Sequence, residues 1–526
     1  MTDIEITKRF TRFPPEPNGY LHLGHLKAMT FDFELHEDCD CTLRMDDTNP
    51  EAEKQEYVDA IVEDVNWLGY KYSKLTYTSD YFDLLYECAL QLIKQNDAYV
   101  DFTPAETIKD MRHNGIESEF RIKSTEWNLE EFTKMVNGYY DENVCVLRLK
   151  IDMQNNNHSL RDPIAYRIKK TPHYRTGTKY CIYPSYDYSH GLVDALENVT
   201  DSYCTMEFFV RREQYYWPVD RLEEFLKNMG KKKAVVREFG RLNIESVVLS
   251  KRKIIPLVEN KIIDGFDDPR LYTIRGLRRR GFTSEILKNI VRHVTDSGIN
   301  SHETLISKGM IEHELRTYFD KICNRVFAVM NPVELINIDC TEDYKRECIH
   351  PNHPTNTNMG HHLTYATKNN YIEASDFREV DSPDYYRLAP NKIIRLRYAD
   401  FIKHLDHKTD ENTLKITVCD IVPDKPKKIK GIIHWVSSES PKAIFEVYDT
   451  LYNDDGTINN NSKKYTHNGY IEKYILDMII TDNEKINTVF QFERLGYFKF
   501  DRFHECDDIK IPVFIMVIDL IDKYNK

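Results

Sequence analysis

Two histidines bracket a glycine in Tyr20-Leu-His22-Leu-Gly24-His25, directly after the proline-rich run Phe13-Pro-Pro-Glu-Pro-Asn-Gly19. Pro14, Pro15 and Pro17 stiffen the approach and remove backbone donors, while Gly19 and Gly24 let the main chain come close to a ligand. Leu26-Lys-Ala-Met-Thr-Phe31 then opens a helix whose N-terminal amides can face anionic oxygens. Imidazoles held there can donate to a phosphate as charge builds in a transition state. Alone, this four-residue motif is matched equally well by a turn that only satisfies its own backbone. A second segment, Val247-Val-Leu-Ser250-Lys251-Arg-Lys253, would by itself read as a solvated basic face. Together the two point to one chemistry.

The pair resembles the two signatures of class I aminoacyl-tRNA synthetases, His-Ile-Gly-His and Lys-Met-Ser-Lys-Ser, with Leu23 in place of Ile and Val248-Leu-Ser-Lys-Arg252 as the second. Further segments are similar to the glutaminyl branch of that family: Leu43-Arg-Met-Asp46-Asp-Thr-Asn-Pro50, Tyr183-Pro-Ser-Tyr186-Asp-Tyr-Ser-His190, Cys204-Thr205-Met-Glu-Phe, Gly240-Arg241-Leu-Asn243, Pro351-Asn-His-Pro354 and Phe490-Gln-Phe-Glu-Arg-Leu-Gly-Tyr497. The resemblance covers nearly the whole chain.

That resemblance implies ATP-dependent activation of L-glutamine as an adenylate and its transfer to the 2′-hydroxyl of the terminal adenosine of tRNA(Gln). His22 and His25 would flank the phosphates, with Glu16, Pro17, Asn18 and Gly24 around them. Ser250 and Lys251 would close over the leaving pyrophosphate, supplying mobile positive charge as it departs. Thr205, Arg241 and Leu242 match positions lining the adenosine pocket. Mg²⁺ is expected to accompany ATP as a phosphate counter-charge, and no motif shows a dedicated metal cage.

For the amino acid, Asp46 is the expected partner of the ammonium and Arg12 the complementary charge. Tyr186 matches the tyrosine that reads the side-chain amide, and His190 lies one turn beyond. Glutamyl-tRNA synthetases share fold and signatures and form the nearest alternative. The eukaryotic-type glutamyl enzymes place Arg at the position of Cys204, and a thiol brings no charge for a buried γ-carboxylate. Val236 departs from the glutaminyl pattern, which carries Gln there. Arg325, Arg387 and Arg397 match anticodon-contacting arginines. Thr355, Asp384 and Tyr386 around them depart from the bacterial pattern, as does Val210 where an Asp reads the acceptor stem. A tRNA-binding protein that keeps the scaffold without catalysis is the alternative from another class.

The elements that must position these residues follow from periodicity. Strands around Ile6 to Phe13 and Cys41 to Met45 alternate with helices from Leu26 and from Glu53 to Leu68, the first half of a doubly wound nucleotide-binding sheet. The expected architecture is α/β plus all-β. A Rossmann-like catalytic domain over 1–80 and 181–241 carries an inserted acceptor-stem domain over 81–180. The signature loop and a helical subdomain follow over 242–330, then two antiparallel β-barrels over 331–526. Within this scheme the sheet is expected to resume at Tyr186 to Leu196, and a helix to run from Glu312 to Val329. Asn453 to Ser462 has the composition of an exposed hairpin tip.

Composition sets the remaining bounds. With 526 residues the chain can form several folding units, and its net charge of −13 excludes a globally basic nucleic-acid binder while allowing local basic faces. Eleven cysteines without framework spacing, and no apolar leader, imply a reducing cytoplasm. The apolar run Val513 to Ile518 is far short of the roughly 20 residues that span a bilayer. A monomer is the default expectation. Cys348, His350, His353, His361 and His362 crowd one stretch, but their spacing fits no common zinc pattern, so no metal site is expected.

Overall fold

The computed structural model describes residues 8–36, 38–247, 251–295, 299, 302–410, 413–421, 429–481, 488–506 and 509–521. Strands β1 (Arg9–Phe13), β2 (Cys39–Met45) and β3 (Lys74–Tyr77) pair in parallel, with Phe13 opposite Leu43 and Leu43 opposite Leu75. Helices α1 (Leu23–Glu34) and α2 (Gln55–Trp67) make the crossovers. Phe13, Cys41, Leu43 and Met45 are buried, as parallel strands covered on both faces require.

On the other side of β1, the Thr200 N–H donates to the Phe10 carbonyl at 2.8 Å, seating the strand Asp201–Thr205 alongside. That strand pairs in parallel with Val235–Phe239. The order therefore runs outward in both directions from β1. This leaves a switch point between Phe13 and Thr205 at the carboxyl ends of the strands, where open α/β sheets hold ligands.

Between β3 and this second half lies an antiparallel four-stranded sheet of Ala98–Asp101, Val146–Leu149, Ile164–Ile168 and Ile182–Pro184, with a core of its own around Phe82, Leu92, Phe132, Leu147 and Tyr188. The segment Tyr186–Leu196, expected to resume the sheet, is a helix. Ser185 caps it by accepting from the Tyr188 N–H at 3.2 Å, and the helix is buried almost all round, which hides the one-sided stripe that identifies helices in sequence.

Two seven-stranded sheets follow. In one, the edge strands are Arg325–Val326 and Ala328–Val329, adjacent pieces of one stretch, so the sheet closes on itself. The other ends on Ile432–Ile433 and Val436–Ser437 and closes the same way. Both are barrels, around Phe445, Phe492, Phe498 and Phe514 in one and Ile394, Ile416, Val418 and Trp435 in the other. The helix expected over Glu312 to Val329 instead spans Lys308–Ile322, because β-branched and aromatic residues from Arg325 onward are taken into the first barrel.

Candidate active site

The first signature caps α1. His22 has extended backbone angles, its Nδ1 accepts from the Gly24 N–H at 3.1 Å, and the His25 Nδ1 accepts from the His22 N–H at 3.1 Å. The two rings lie 3.8 Å apart between centroids. A Cβ on Gly24 would come within 2.9 Å of the His22 ring, so only glycine lets the imidazole fold over the helix start. Burial, with help from His25 and Arg241, drives His22 well below the ordinary histidine range, and burial holds His25 at about 4. Both rings are thus neutral near pH 7. Since each Nδ1 accepts a backbone hydrogen, each proton sits on Nε2.

Both histidines line a cavity of about 450 Å³ together with Arg12, Glu16, Asn18, Tyr186, His190, Cys204 and Thr205. This is the size of a nucleotide-scale ligand site. Glu16 accepts from the Asn18 amide at 2.6 Å, and the Pro17 carbonyl accepts from the Lys54 N–H, which ties the proline turn to the start of α2. Thr205 presents a buried Oγ1 without a protein partner. Leu242 is buried behind Gly24, and the exposed Arg241 pairs with Glu207 at 2.7 Å. Lys27, which no motif singled out, is buried and donates to the Gly240 carbonyl at 2.6 Å, anchoring α1 to the strand Leu242–Ile244. Ser250 and the side chain of Lys251 lie outside the described residues; Lys251 opens the helix Lys251–Glu259.

A buried charge network forms the deep wall. Arg12 donates through Nε to Asp194 at 3.0 Å, through Nη1 to the Tyr203 carbonyl at 3.0 Å and through Nη2 to Ser202 at 2.7 Å. Arg44 reaches Asp194 at 2.6 Å and Glu197 at 3.1 Å. His190 Nδ1 lies 3.5 Å from Asp46 Oδ2, and Thr78 donates to the other Asp46 oxygen at 2.6 Å. Burial opposes the charge on His190, yet Asp194 and Asp46 outweigh it and raise the imidazole to about 9. Burial likewise opposes the Asp46 carboxylate, which His190 and Arg44 nevertheless hold below its ordinary range. Arg12 Nη2 also lies 2.6 Å from His190 Nε2, a contact in which the imidazole nitrogen accepts, so the fixed charges of the network are the two guanidiniums of Arg12 and Arg44 against the carboxylates of Asp46, Asp194 and Glu197.

Tyr186 and Cys204 sit over this wall. The Tyr186 ring lies 4.7 Å from that of His190, tilted by 41°, and Cys204 Sγ lies 3.7 Å from Arg12 Nη2. Both also line a recess of about 30 Å³ together with His190, Tyr215 and Val236, so the position that departs from the glutaminyl pattern borders the same pocket. Asp194, Arg44 and Glu197 escaped the sequence reading, because nothing in their spacing reveals that three separate elements converge.

Far from this cavity, the three expected anticodon arginines lie along the barrels, each against an acid: Arg325 with Asp320 at 2.5 Å, Arg387 with Asp376 at 3.1 Å and Arg397 with Glu493 at 2.6 Å. Asp376 is also gripped by both terminal nitrogens of Arg494 at 2.6 Å. Thr355, Asp384 and Tyr386 are exposed. Phe209 and Val210 project into solvent from the turn after Thr205, at 50% and 59% exposure.

Comparison with known proteins follows this division. The catalytic-domain model of the class I (E and Q) tRNA synthetases matches residues 8–314, and two anticodon-binding-domain models of the same family match 323–422 and 432–501. The chain is 41% identical to a cytoplasmic glutamine–tRNA ligase of Arabidopsis thaliana over 99% of its length, spanning 66% of that relative. It is 41% identical to a glutamine–tRNA ligase of Nitrosomonas europaea over 93% of its length and 91% of the relative. A glutamate–tRNA synthetase structure from Elizabethkingia anophelis superposes with a TM-score of 0.43 at 17% identity, covering 60% of this chain and 72% of that one. With family models covering both its sheet-bearing half and its barrels, the chain belongs to the class I tRNA synthetases of the E and Q family.

Proposed function

We propose that the protein is a glutamine–tRNA ligase, using ATP to activate L-glutamine and esterify it to tRNA(Gln). The observation that carries the choice of amino acid is the charge network behind the cavity. Its two guanidiniums, Arg12 and Arg44, are already held by Asp194 and Glu197, so no spare positive charge remains for a γ-carboxylate, and Asp46 stays free for the substrate ammonium. A neutral amide beneath Tyr186 and Cys204 adds no charge to that count. The names of the relatives support the same reading.

In the first step a glutamine carboxylate oxygen attacks the α-phosphorus of ATP and pyrophosphate leaves. The Nε2–H groups of His22 and His25 are the donors for the phosphate oxygens, and neutral rings donate without drawing the phosphates into a tight ground-state ion pair. Asp46 receives the substrate ammonium. Arg12, its donors committed to Asp194, Tyr203 and Ser202, acts as the fixed cationic wall. Ser250 and Lys251 are assigned to the departing pyrophosphate, and Thr205, Arg241, Leu242, Glu16, Pro17, Asn18 and Gly24 to ATP. Mg²⁺ would accompany ATP as the counter-charge of its phosphates. In the second step the terminal 2′-hydroxyl attacks the activated carbonyl and AMP leaves.

By this reading the antiparallel insert over 81–180, with a cavity lined by Lys109, Arg112, Arg148, Arg167 and Lys169, takes the acceptor stem, and exposed Phe209 and Val210 face its end. Residues 242–330 carry the signature loop, and the barrels beyond 331 read the anticodon through Arg325, Arg387 and Arg397. The working form is a cytoplasmic monomer.

The test is parallel charging of tRNA(Gln) and tRNA(Glu) transcripts with labelled glutamine and glutamate. Glutamine on tRNA(Gln) alone is expected, with a loss of about 10²-fold or more in His25→Ala. Glutamate charging would refute the amino-acid assignment, and no charging with either would favour a scaffold that only binds tRNA.

A further inference from the structure

Two histidines face each other across a hairpin in the second barrel region. Lys345–Pro351 pairs antiparallel with His361–Thr367, and the register places His350 opposite His362, ring centroids 4.5 Å apart. Glu472 enters from the other barrel, directly after the strand Lys464–Ile471. Its Oε1 lies 3.2 Å from His350 Nδ1 and its Oε2 3.1 Å from His362 Nε2. All three side chains are at most 2% exposed.

The outer nitrogens are also accounted for. His362 Nδ1 is 2.6 Å from Asn352 Oδ1, and that atom is the amide oxygen because the Asn352 NH₂ group donates to the Met359 carbonyl at 2.7 Å. His350 Nε2 is 3.4 Å from Glu493 Oε1. All four ring nitrogens therefore face acceptors. A neutral imidazole owns one N–H, so two neutral rings leave two acceptor–acceptor contacts in a dry site. One imidazolium beside a neutral ring would still leave one such contact, and two would hold like charges with ring centroids 4.5 Å apart.

We propose that His350 Nδ1, His362 Nε2 and the Glu472 carboxylate bind a divalent first-row transition-metal ion, zinc by the chemistry of the donors. Ligand atoms around a tetrahedral ion at about 2.0–2.1 Å are about 3.3 Å apart. The two carboxylate contacts, at 3.1 and 3.2 Å, already have that spacing, and one donor atom from each residue lies within 4.8 Å of the others. The surrounding groups are those a bound ion needs. Asn352 and Glu493 take the outer ring N–H groups and fix both tautomers, and the Phe327 N–H holds Glu472 Oε2 at 2.7 Å. The second Glu472 oxygen or a water completes four-coordination. Binding releases the protons on the two inner nitrogens to solvent.

The site differs from the grouping that the sequence suggests. Cys348 Sγ turns to the Arg346 carbonyl, His353 bonds the Asp320 carbonyl and His361 is exposed. The ion would join the hairpin of one barrel to Glu472 of the other, beside the Glu493–Arg397 pair.

The proposal is tested on tag-free full-length protein, incubated with Zn²⁺, dialysed and analysed for metal by mass spectrometry. About one zinc per chain is expected in the wild type, falling to about a tenth or less in His362→Asn and Glu472→Gln. Because these variants could misfold, Co²⁺ is also titrated into metal-stripped wild type, where visible d–d bands without a thiolate charge-transfer band are expected. Folded wild-type protein that retains no zinc would overturn the proposal. So would stoichiometric zinc in both folded variants, or cobalt spectra dominated by thiolate ligation.

Discussion

At the scale of residues, the cap of α1 sets the protonation of its own histidines. Backbone hydrogens on both Nδ1 atoms leave Nε2–H as the donor, and burial keeps the rings neutral. For His25 the sign is definite. Its folded value of about 4 lies below the unfolded value near 6.5, so between these limits the unfolded chain binds more protons and stability falls as pH drops. NMR of labelled histidine should show His25 untitrated from pH 8 down to about 5; a midpoint near 6.5 would refute the buried neutral ring. His22 and His25 were legible because their partners lie within three residues. Asp194 was not, since its meaning depends on Arg12 from β1 and Arg44 from β2, some 150 to 180 residues away.

At the scale of elements, the helix Tyr186–Leu196 carries Tyr186, His190 and Asp194 as a single unit to the deep wall of the cavity, the proposed amino-acid pocket. Its direction depends on Ser185, which accepts from the Tyr188 N–H and donates to the Ile164 carbonyl at 2.6 Å. Ser185→Ala should cost about 1 kcal/mol in thermal or urea unfolding. It should raise KM for glutamine more than KM for ATP, because His22 and His25, the proposed phosphate donors, belong to α1. Equal effects on both would show that the cap does not position the pocket. The sequence reading placed sheet here because every turn of this helix is buried, so the apolar stripe that betrays surface helices is missing. His350 and His362 failed to read as a pair for a related reason: strand register brought them together, and Glu472 arrived from a different barrel.

At the scale of the whole molecule, the barrels are fastened to the catalytic half by arginines of the helix Ile274–Arg280. Arg279 grips Asp501 through two contacts of 3.0 and 3.1 Å, and Arg280 donates to the Val517 carbonyl at 3.1 Å. Asp501 is mostly buried, so the pair is expected to couple. A double-mutant cycle of Arg279→Ala and Asp501→Ala in urea should give an interaction of about 1–2 kcal/mol; strict additivity would mean that this pair contributes nothing to holding the seam. The hairpin of Asn453 to Ser462 belongs to the same seam. Its tip is exposed, as composition suggested, but Leu451 and Tyr452 at its base are buried in the catalytic core, and the Ser246 hydroxyl donates to the Asp454 carbonyl at 2.5 Å. The alternation of strands after Asn331 was enough to read barrels, while composition alone could not show where they touch the catalytic half.

The closure of the first barrel also imposes an order of birth. Its edges, Arg325–Val326 and Ala328–Val329, leave the ribosome long before Ile509–Ile518, and the strands of the second barrel, from Pro332 to Ser437, lie wholly between them. The inner ring can therefore finish while the outer one stands open. A nascent chain stopped short of Ile509 would carry one completed barrel and one incomplete one, with the strands that receive Ile509–Ile518 left as unpaired edges for another chain to pair with.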